Sequence, residues 1–431
     1  MEEFKIFEAA SANNIEYVRE ALAGEHGSVD SEDVGLALIR AATNGHEECV
    51  RLLLNHSANV NATNGAEDTA LSTAAESGHF SIVRLVLDKG CDLNHQNASG
   101  YTALMKACEN GHVEVVDFLL KSGAKDVSED VSEEHAGVPN GVPRLPKYMP
   151  HGYSSLMVTV LKQPEHFKKI LRLLLDDGMN VNEIDLQDMT VLHHAANKCT
   201  EDVIEMLLEA GAKVNTKDVW GVTPLMSAAA YCKINNVKIM LKYGADVSLF
   251  CKAKRTALSI AARTGSGELI QTLLEAGADP NFKNAHGHTP VFIALVHNNY
   301  AGVKCLIQAG CDLETPCRDL SSLQPMSCCQ YALHRKNVKL LKMLYLAGAF
   351  TYKTLYEAAL DQQLKHDSSD NPDFFHELNT LALNPRSLRH TCRIFINKNL
   401  GARFPKCLPK LALPTPLFDF LCYSDMNSYT D

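Results

Sequence analysis

A Gly-His dipeptide recurs at Gly45-His46, Gly78-His79 and Gly111-His112, 33 residues apart each time. A second marker runs further: Ser57-Ala58, Gly90-Cys91, Gly123-Ala124, Gly178-Met179, Gly211-Ala212, Gly244-Ala245, Gly277-Ala278, Gly310-Cys311 and Gly348-Ala349. Most of its steps are again 33; the exceptions, 55 and 38, expose insertions of 22 and 5 residues. A fixed period of this length constrains the fold more than any other feature. Each repeat is one small supersecondary unit, too small to bury a core alone, and is stable only when stacked on its neighbours.

Each unit reads as two short helices. At Thr223-Pro224-Leu225 a threonine suited to capping precedes a proline suited to the first helical position, where no amide donor is needed. The second helix is typified by EDVIEMLLEAG, Glu201 to Gly211, whose Val203, Ile204, Leu207 and Leu208 recur at helical spacing before a glycine stop. Nine such units end near Ala349, preceded by a capping unit over Phe4 to Gly24. One unit is interrupted by an acidic run and then a Gly- and Pro-rich stretch between Asp126 and Gly152, which reads as a solvated loop. The last unit, Arg318 to Gly348, lacks the Thr-Pro-Leu start and carries Met326, Cys328 and Cys329 there.

Composition excludes several classes. No apolar segment follows the acidic start MEEFKIFEAA, and apolar runs such as Leu156 to Leu161 fall far short of the roughly 18 residues of a membrane span. The expectation is a soluble protein of the cytoplasm or nucleus. Fourteen scattered cysteines with no C-x-x-C pair predict free thiols acting as small apolar fillers. His193 and His194, adjacent on a helix, point about 100° apart, which disfavours a chelating pair. Gly265-Ser266-Gly267 precedes no phosphate-binding lysine and reads as a turn. No catalytic constellation, metal set or cofactor motif emerges.

The motifs GYTALMKACENGHVEVVDFLLKSGA (Gly100 to Ala124), MTVLHHAANKCTEDVIEMLLEAGAKVN (Met189 to Asn215) and HTPVFIALVHNNYAGVKCLIQAGCDL (His288 to Leu313) resemble the ankyrin repeat family over about four-fifths of the chain. The resemblance implies an all-α solenoid of helix-turn-helix units with β-turn fingers, spanning 1–349, that binds protein. It also implies a structural role for His193 and His194, as for His46, His79 and His112. Fingertip positions Tyr101, Met189, Trp220, Arg255 and His288 are its candidate target-binding residues. Trp220, the one tryptophan, either lies on the target surface or packs on the adjacent finger.

The composition switches at Pro385. From Pro385 to Tyr423 the chain carries net charge +6, leaving −16 for the remainder of a chain whose total is −10. Leu388, Cys392 and Ile396, four apart, fall within about 80° of one another on a helix and form a narrow apolar stripe suited to a partner's groove. SLRHTCRIFI, from Ser387 to Ile396, resembles the elongin-binding part of a SOCS box, and LPKLALPTPLFDFL, from Leu408 to Leu421, its cullin-5 part. The whole chain thus resembles the ankyrin repeat and SOCS box family. The resemblance implies linker helices at 350–384, a small helical SOCS box at 385–424 and a tail at 425–431. It also implies elongin C and elongin B bound through Leu388, Cys392 and Ile396. Cullin-5 with its RING subunit would bind through Leu411, Leu413, Pro414, Leu417, Phe420 and Leu421. Ala412 stands where the family usually has proline, and Phe420 where it has tyrosine or leucine. The implied function is a non-catalytic substrate receptor of a ubiquitin ligase. The alternative is an ankyrin scaffold that sequesters a protein partner and carries a degenerate box. Neither reading calls for nucleic acid or membrane.

Overall fold

The computed structural model describes residues 6–25, 29–126, 152–318, 325–350 and positions 376, 378, 380 and 381. Two compact units divide the chain, Met1–Val219 and Trp220–Asp431. The first contains helix pairs α1 (Ile6–Ser11) with α2 (Ile15–Ala23), α3 (Ser31–Asn44) with α4 (Glu47–Asn55), and α5 (Ala70–Ser77) with α6 (Phe80–Asp88). It continues with α7 (Ala103–Asn110) and α8 (Val113–Lys121), α9 (Ser155–Lys162) and α10 (Phe167–Asp176), then α11 (Val191–Lys198) and α12 (Glu201–Glu209). The second unit holds α13 (Pro224–Ala230) with α14 (Ile234–Lys242) and α15 (Ala257–Thr264) with α16 (Gly267–Glu275). There follow α17 (Pro290–Val296) with α18 (Tyr300–Gln308) and α19 (Cys328–His334) with α20 (Val338–Leu346).

The first helix of each pair packs on the first helix of the next. Within the first unit α1, α3, α5, α7, α9 and α11 form one row, and within the second α13, α15, α17 and α19 form another. These inner helices are rich in alanine, and Ala74, Ala107, Ala195, Ala228 and Ala261 are fully buried, so backbones approach closely. The leucine of each Thr-x-Leu start is also submerged: Leu71, Leu104, Leu192, Leu225 and Leu258 are 0–1% exposed. Each such burial is worth about 1.5–3 kcal/mol, repeated once per unit.

Threonine explains where the inner helices begin. Thr69, Thr102, Thr223 and Thr256 are N-caps whose hydroxyls accept from the amides of Ser72, Met105, Met226 and Ser259 at 3.2–3.3 Å. Ser154 does the same for α9 and Ser327 for α19, so the last unit keeps its cap while losing the threonine. Its longer finger is built differently: strand β1 (Cys317–Arg318) pairs antiparallel with β2 (Pro325–Met326). The outer helices end on left-handed glycines, but in one unit Ser57 adopts that conformation, at φ 62°.

The turn between helices explains the Gly-His signature. The Nε2 atoms of His46, His79 and His112 donate to the carbonyls of Ser11, Thr43 and Glu76 in the preceding repeat, at 2.9, 3.1 and 2.9 Å. The ring needs room that only glycine leaves: a Cβ on Gly45 would lie 2.7 Å from His79, and one on Gly78 2.5 Å from His112. The structural role expected of these histidines is the one observed. Gly265-Ser266-Gly267 is likewise a turn, with Ser266 capping α16 through the Leu269 amide at 3.2 Å. Among the described residues no helix is long and apolar enough to cross a membrane.

Candidate functional site

Between one helix pair and the next the chain projects a finger with a repeated hydrogen-bond frame. In the fingers opening at Asn64, Asn97, Asp185 and Asn284 the first residue's side-chain oxygen accepts from the amides two and four positions on, at 2.8–3.0 Å. The fourth position is left-handed, carried by Gly100, Gly221 and Gly287 but also by Glu67, Asp188 and Lys254. Neighbouring fingers are joined by backbone bonds: Ala98 to Ala66 and Val219 to Gln187 in the first unit, Lys252 to Trp220 and Ala285 to Ala253 in the second. The fingertips of each unit therefore lie beside one another and form, with the inner helices, a surface held by the backbone.

In the first unit ion pairs tie together side chains of this surface. Lys106, on inner helix α7, is almost fully buried, with Nζ 2.8 Å from Asp68 and 2.6 Å from Glu76. Burial opposes its charge, but the hydrogen bonds it donates to the two carboxylates outweigh that and hold its pKa above the usual lysine value. Lys162 pairs with Glu109 at 2.5 Å. The two adjacent histidines are both absorbed by structure. His193 Nδ1 accepts from the Thr190 amide at 3.0 Å as part of a capping box, and His194 Nε2 bonds Asp185 at 2.9 Å with Tyr153 edge-on to its ring. Burial pushes the Asp185 carboxyl up, but bonds from His194 and from the Met189 and Gln187 amides dominate and hold it low. Among the described residues no group of three His, Cys, Asp or Glu side chains is arranged to hold a metal. The described cysteines are free thiols, and burial pushes Cys91 and Cys199 up to about 11, far from the reactive thiolate.

In the second unit the surface is different. Trp220, Tyr231 and Phe250 are exposed at 52%, 63% and 43%, and Phe250 stacks on Phe282 with ring centroids 5.5 Å apart. Lys252, Lys254, Arg255, Lys283 and Arg318 are exposed beside them. Of the residues singled out from sequence, Trp220 and Arg255 stand on this face. His288 is half-buried, its Nε2 bonded to the Arg318 carbonyl and its ring 5.3 Å from Phe292. Tyr101 and Met189 belong to the first unit, are half-buried and close their own fingers through backbone bonds. Sequence reading passed over Lys252, Lys254, Lys283 and Arg318 because their separation along the chain hides their adjacency. The terminal candidates, Leu388, Cys392 and Ile396 with Leu411, Leu413, Pro414, Leu417, Phe420 and Leu421, lie outside the described residues, as does most of the insertion after Asp126.

A family model of ankyrin repeats in three copies matches residues 63–130, 146–218, 225–317 and 258–354, and a second ankyrin-repeat model matches 38–85. A SOCS box model matches 384–422. The chain belongs to the ankyrin repeat and SOCS box family. Among solved structures, the human ASB11 ankyrin repeat domain is 26% identical with a TM-score of 0.44, over 56% of this chain and 98% of that one. No curated protein matches the chain. An ankyrin array with a C-terminal SOCS box makes a substrate adaptor of the SOCS-box kind, and both modules are non-catalytic. The helix pairs and fingers described above are the ankyrin half of this SOCS-box protein, and the +6 segment from Pro385 coincides with the matched box except for its last residue, Tyr423.

Proposed function

We propose that this chain is the target receptor of a cullin–RING ubiquitin ligase. The ankyrin array, 1–349, holds the target; linker helices at 350–384 lead to the SOCS box at 385–424, which is followed by a tail at 425–431. Leu388, Cys392 and Ile396 seat in elongin C, which brings elongin B, and Leu411, Leu413, Pro414, Leu417, Phe420 and Leu421 contact cullin-5 and through it the RING subunit. Trp220 and Arg255 are the foremost target contacts, with His288, Tyr101 and Met189 at the finger margins. The observation that carries this reading is the SOCS box match at 384–422 directly behind the repeat array.

The receptor supplies no reacting side chain. It holds a target lysine near the charged ubiquitin carrier, so that an encounter between separate molecules becomes effectively intramolecular. Affinity capture of the full chain and of a Leu388→Pro, Cys392→Phe variant tests the assignment. Wild type should retain elongins B and C and the variant should not; equal capture by both, or by neither, defeats the reading. Cullin binding before and after Ala412→Pro tests the second contact, where a large gain means that the natural box engages cullin-5 weakly.

A further inference from the structure

The described fingers and inner helices of the second unit carry charge of one sign. Segments 220–233, 250–266, 283–299, 317–318 and 325–337 hold nine Lys or Arg and no Asp or Glu. Among the described residues of the unit the acids fall instead in the outer helices and the loops behind the fingers, Asp246, Glu268, Glu275, Asp279, Asp312 and Glu314; Asp218 stands just before the first of these segments, and Asp319 lies outside the described residues. The corresponding segments of the first unit, 31–46, 63–79, 96–112, 152–166 and 184–200, hold nine acids against four bases. One fold with one periodicity thus presents opposite charge in its two units. Stacking requires neither sign, since the same caps, alanines and leucines stabilise both.

Pairing differs in the same way. On the first face buried Lys106 meets Asp68 and Glu76, and exposed Lys162 meets Glu109. In the second unit Lys238 pairs with Glu268 on outer helices α14 and α16, away from the fingers. Lys252, Lys254, Arg255, Lys283 and Arg318 form no ion pair with another described residue. They lie on fingers joined by the Lys252–Trp220 and Ala285–Ala253 backbone bonds and by the bond from His288 to the Arg318 carbonyl. Like charges gathered on adjoining fingers repel, a cost that a bound anionic partner removes, although Lys283 also acts on the Asp312 carboxyl. Exposed Trp220, Tyr231 and Phe250 add the aromatic anchors typical of interface hot spots.

We propose that this face captures an acidic, hydrophobe-bearing segment of the target protein. Carboxylates of the segment meet the finger bases, and apolar side chains between them pack on Trp220 and Phe250. A nucleic acid would also meet the bases, but its dense, regular charge is repelled at range by a chain of net charge −10, whereas a short peptide is much less affected. The inference rests on the reading of the chain as a target receptor.

The experiment selects a displayed library of random 16-residue peptides on the full chain and on a Lys252→Glu, Arg255→Glu, Lys283→Glu variant. Wild type should enrich peptides rich in Asp and Glu with interspersed Leu, Phe or Trp. A labelled peptide from that pool should bind the variant at least about tenfold more weakly, and bind wild type more weakly as salt rises and the Debye length falls below about 10 Å. Because the three side chains are exposed, thermal melting of the variant should match wild type; the salt titration tests the proposal without any substitution. Enrichment no more acidic than the input library, equal binding by the variant, or tighter binding of a 20-nucleotide poly(U) than of the selected peptide would overturn it. Elongin capture by both proteins separates the two ideas. Its absence from wild type with acidic selection intact sinks the ligase reading alone, and its presence with no acidic selection sinks the surface alone.

Discussion

Replacing Lys106 with methionine tests how the first unit is held together. The substitution keeps an unbranched apolar stem and deletes the charge lying 2.8 Å from Asp68 and 2.6 Å from Glu76. At an effective dielectric of about 20 each pair is worth about 6 kcal/mol before solvation, and taking the ions out of water costs several kcal/mol apiece. Removing one partner of a buried pair typically costs about 3–5 kcal/mol because the other charge is stranded. Here the two carboxylates differ. The Glu76 side chain is 50% exposed and is rehydrated, while Asp68, at 13%, keeps a 2.8 Å bond from Asn97 Nδ2 and a long 3.5 Å bond from Ser72 Oγ as compensation. The expected loss is therefore about 2–3 kcal/mol, and it is local to the repeats that meet at this point. Amide hydrogen exchange in α5 and α7 of the full chain reads it directly, as acceleration of about 30- to 150-fold at 1.4 kcal/mol per tenfold. Lys162→Met is the control. That lysine is half exposed, and losing a surface pair of this kind should change exchange by less than about fivefold. Acceleration below about threefold in the Lys106 variant would refute the argument that Asp68 depends on it.

Gly78→Ala and Gly90→Ala separate space from conformation. Both glycines are left-handed, but a Cβ on Gly78 would lie 2.5 Å from His112, whereas Gly90 has nothing within 4 Å. The first should cost about 2–3 kcal/mol and the second about 1, as measured by urea denaturation. Ser57→Gly should raise the melting temperature slightly, by relieving a serine held at φ 62°. Glu183 supplies a pH test, because burial, aided by the Asp126 charge, pushes its carboxyl up to about 7. A group protonated more readily in the folded state contributes stability that is full below its ordinary pKa and is lost as pH rises toward 7. Glu183→Gln should thus melt near wild type at pH 4 and several degrees above it at pH 8. Asp185, held low, behaves oppositely: the stability it contributes is present above its ordinary pKa, is lost as pH falls below about 4, and is missing from Asp185→Asn throughout.

The period, the helix pairs and the turn histidines were legible in sequence because each depends on residues close along the chain. Thr223-Pro224-Leu225 predicts a capped helix wherever it stands, and the Gly-His turn needs only the neighbouring repeat to repeat it. Other features are invisible for a physical reason. The burial of Lys106 requires Asp68, Glu76 and Asn97 to converge from two adjacent repeats, about 30 residues away or more for the carboxylates. The left-handed Glu67, Asp188 and Lys254 look like ordinary charged loop residues, since nothing in their identity announces a positive φ. The charged face of the second unit was hidden similarly. Net charge was visibly different at the terminal segment, where bases are contiguous, and invisible where they are spaced by a repeat.

The bonds joining repeats also have a direction. His46, His79 and His112 each donate to the preceding repeat, as do the amides of Ala98, Lys252 and Ala285 between fingers, and those of Asp92, Lys125, Lys213 and Asp312 to Asn61, Asn94, Asn182 and Asn281. In these bonds the later repeat supplies the proton and the earlier one the oxygen, whereas His288 to the Arg318 carbonyl and Asn182 to the Gly211 carbonyl run the other way. For these histidine, finger and asparagine bonds a chain emerging from the ribosome N-terminus first therefore has its acceptors already made. At about 5–20 residues per second a new repeat appears every 2–7 s or so. Each then docks on a ready row of oxygens, so the array can grow by accretion from its first helix pair with no need to wait for its last.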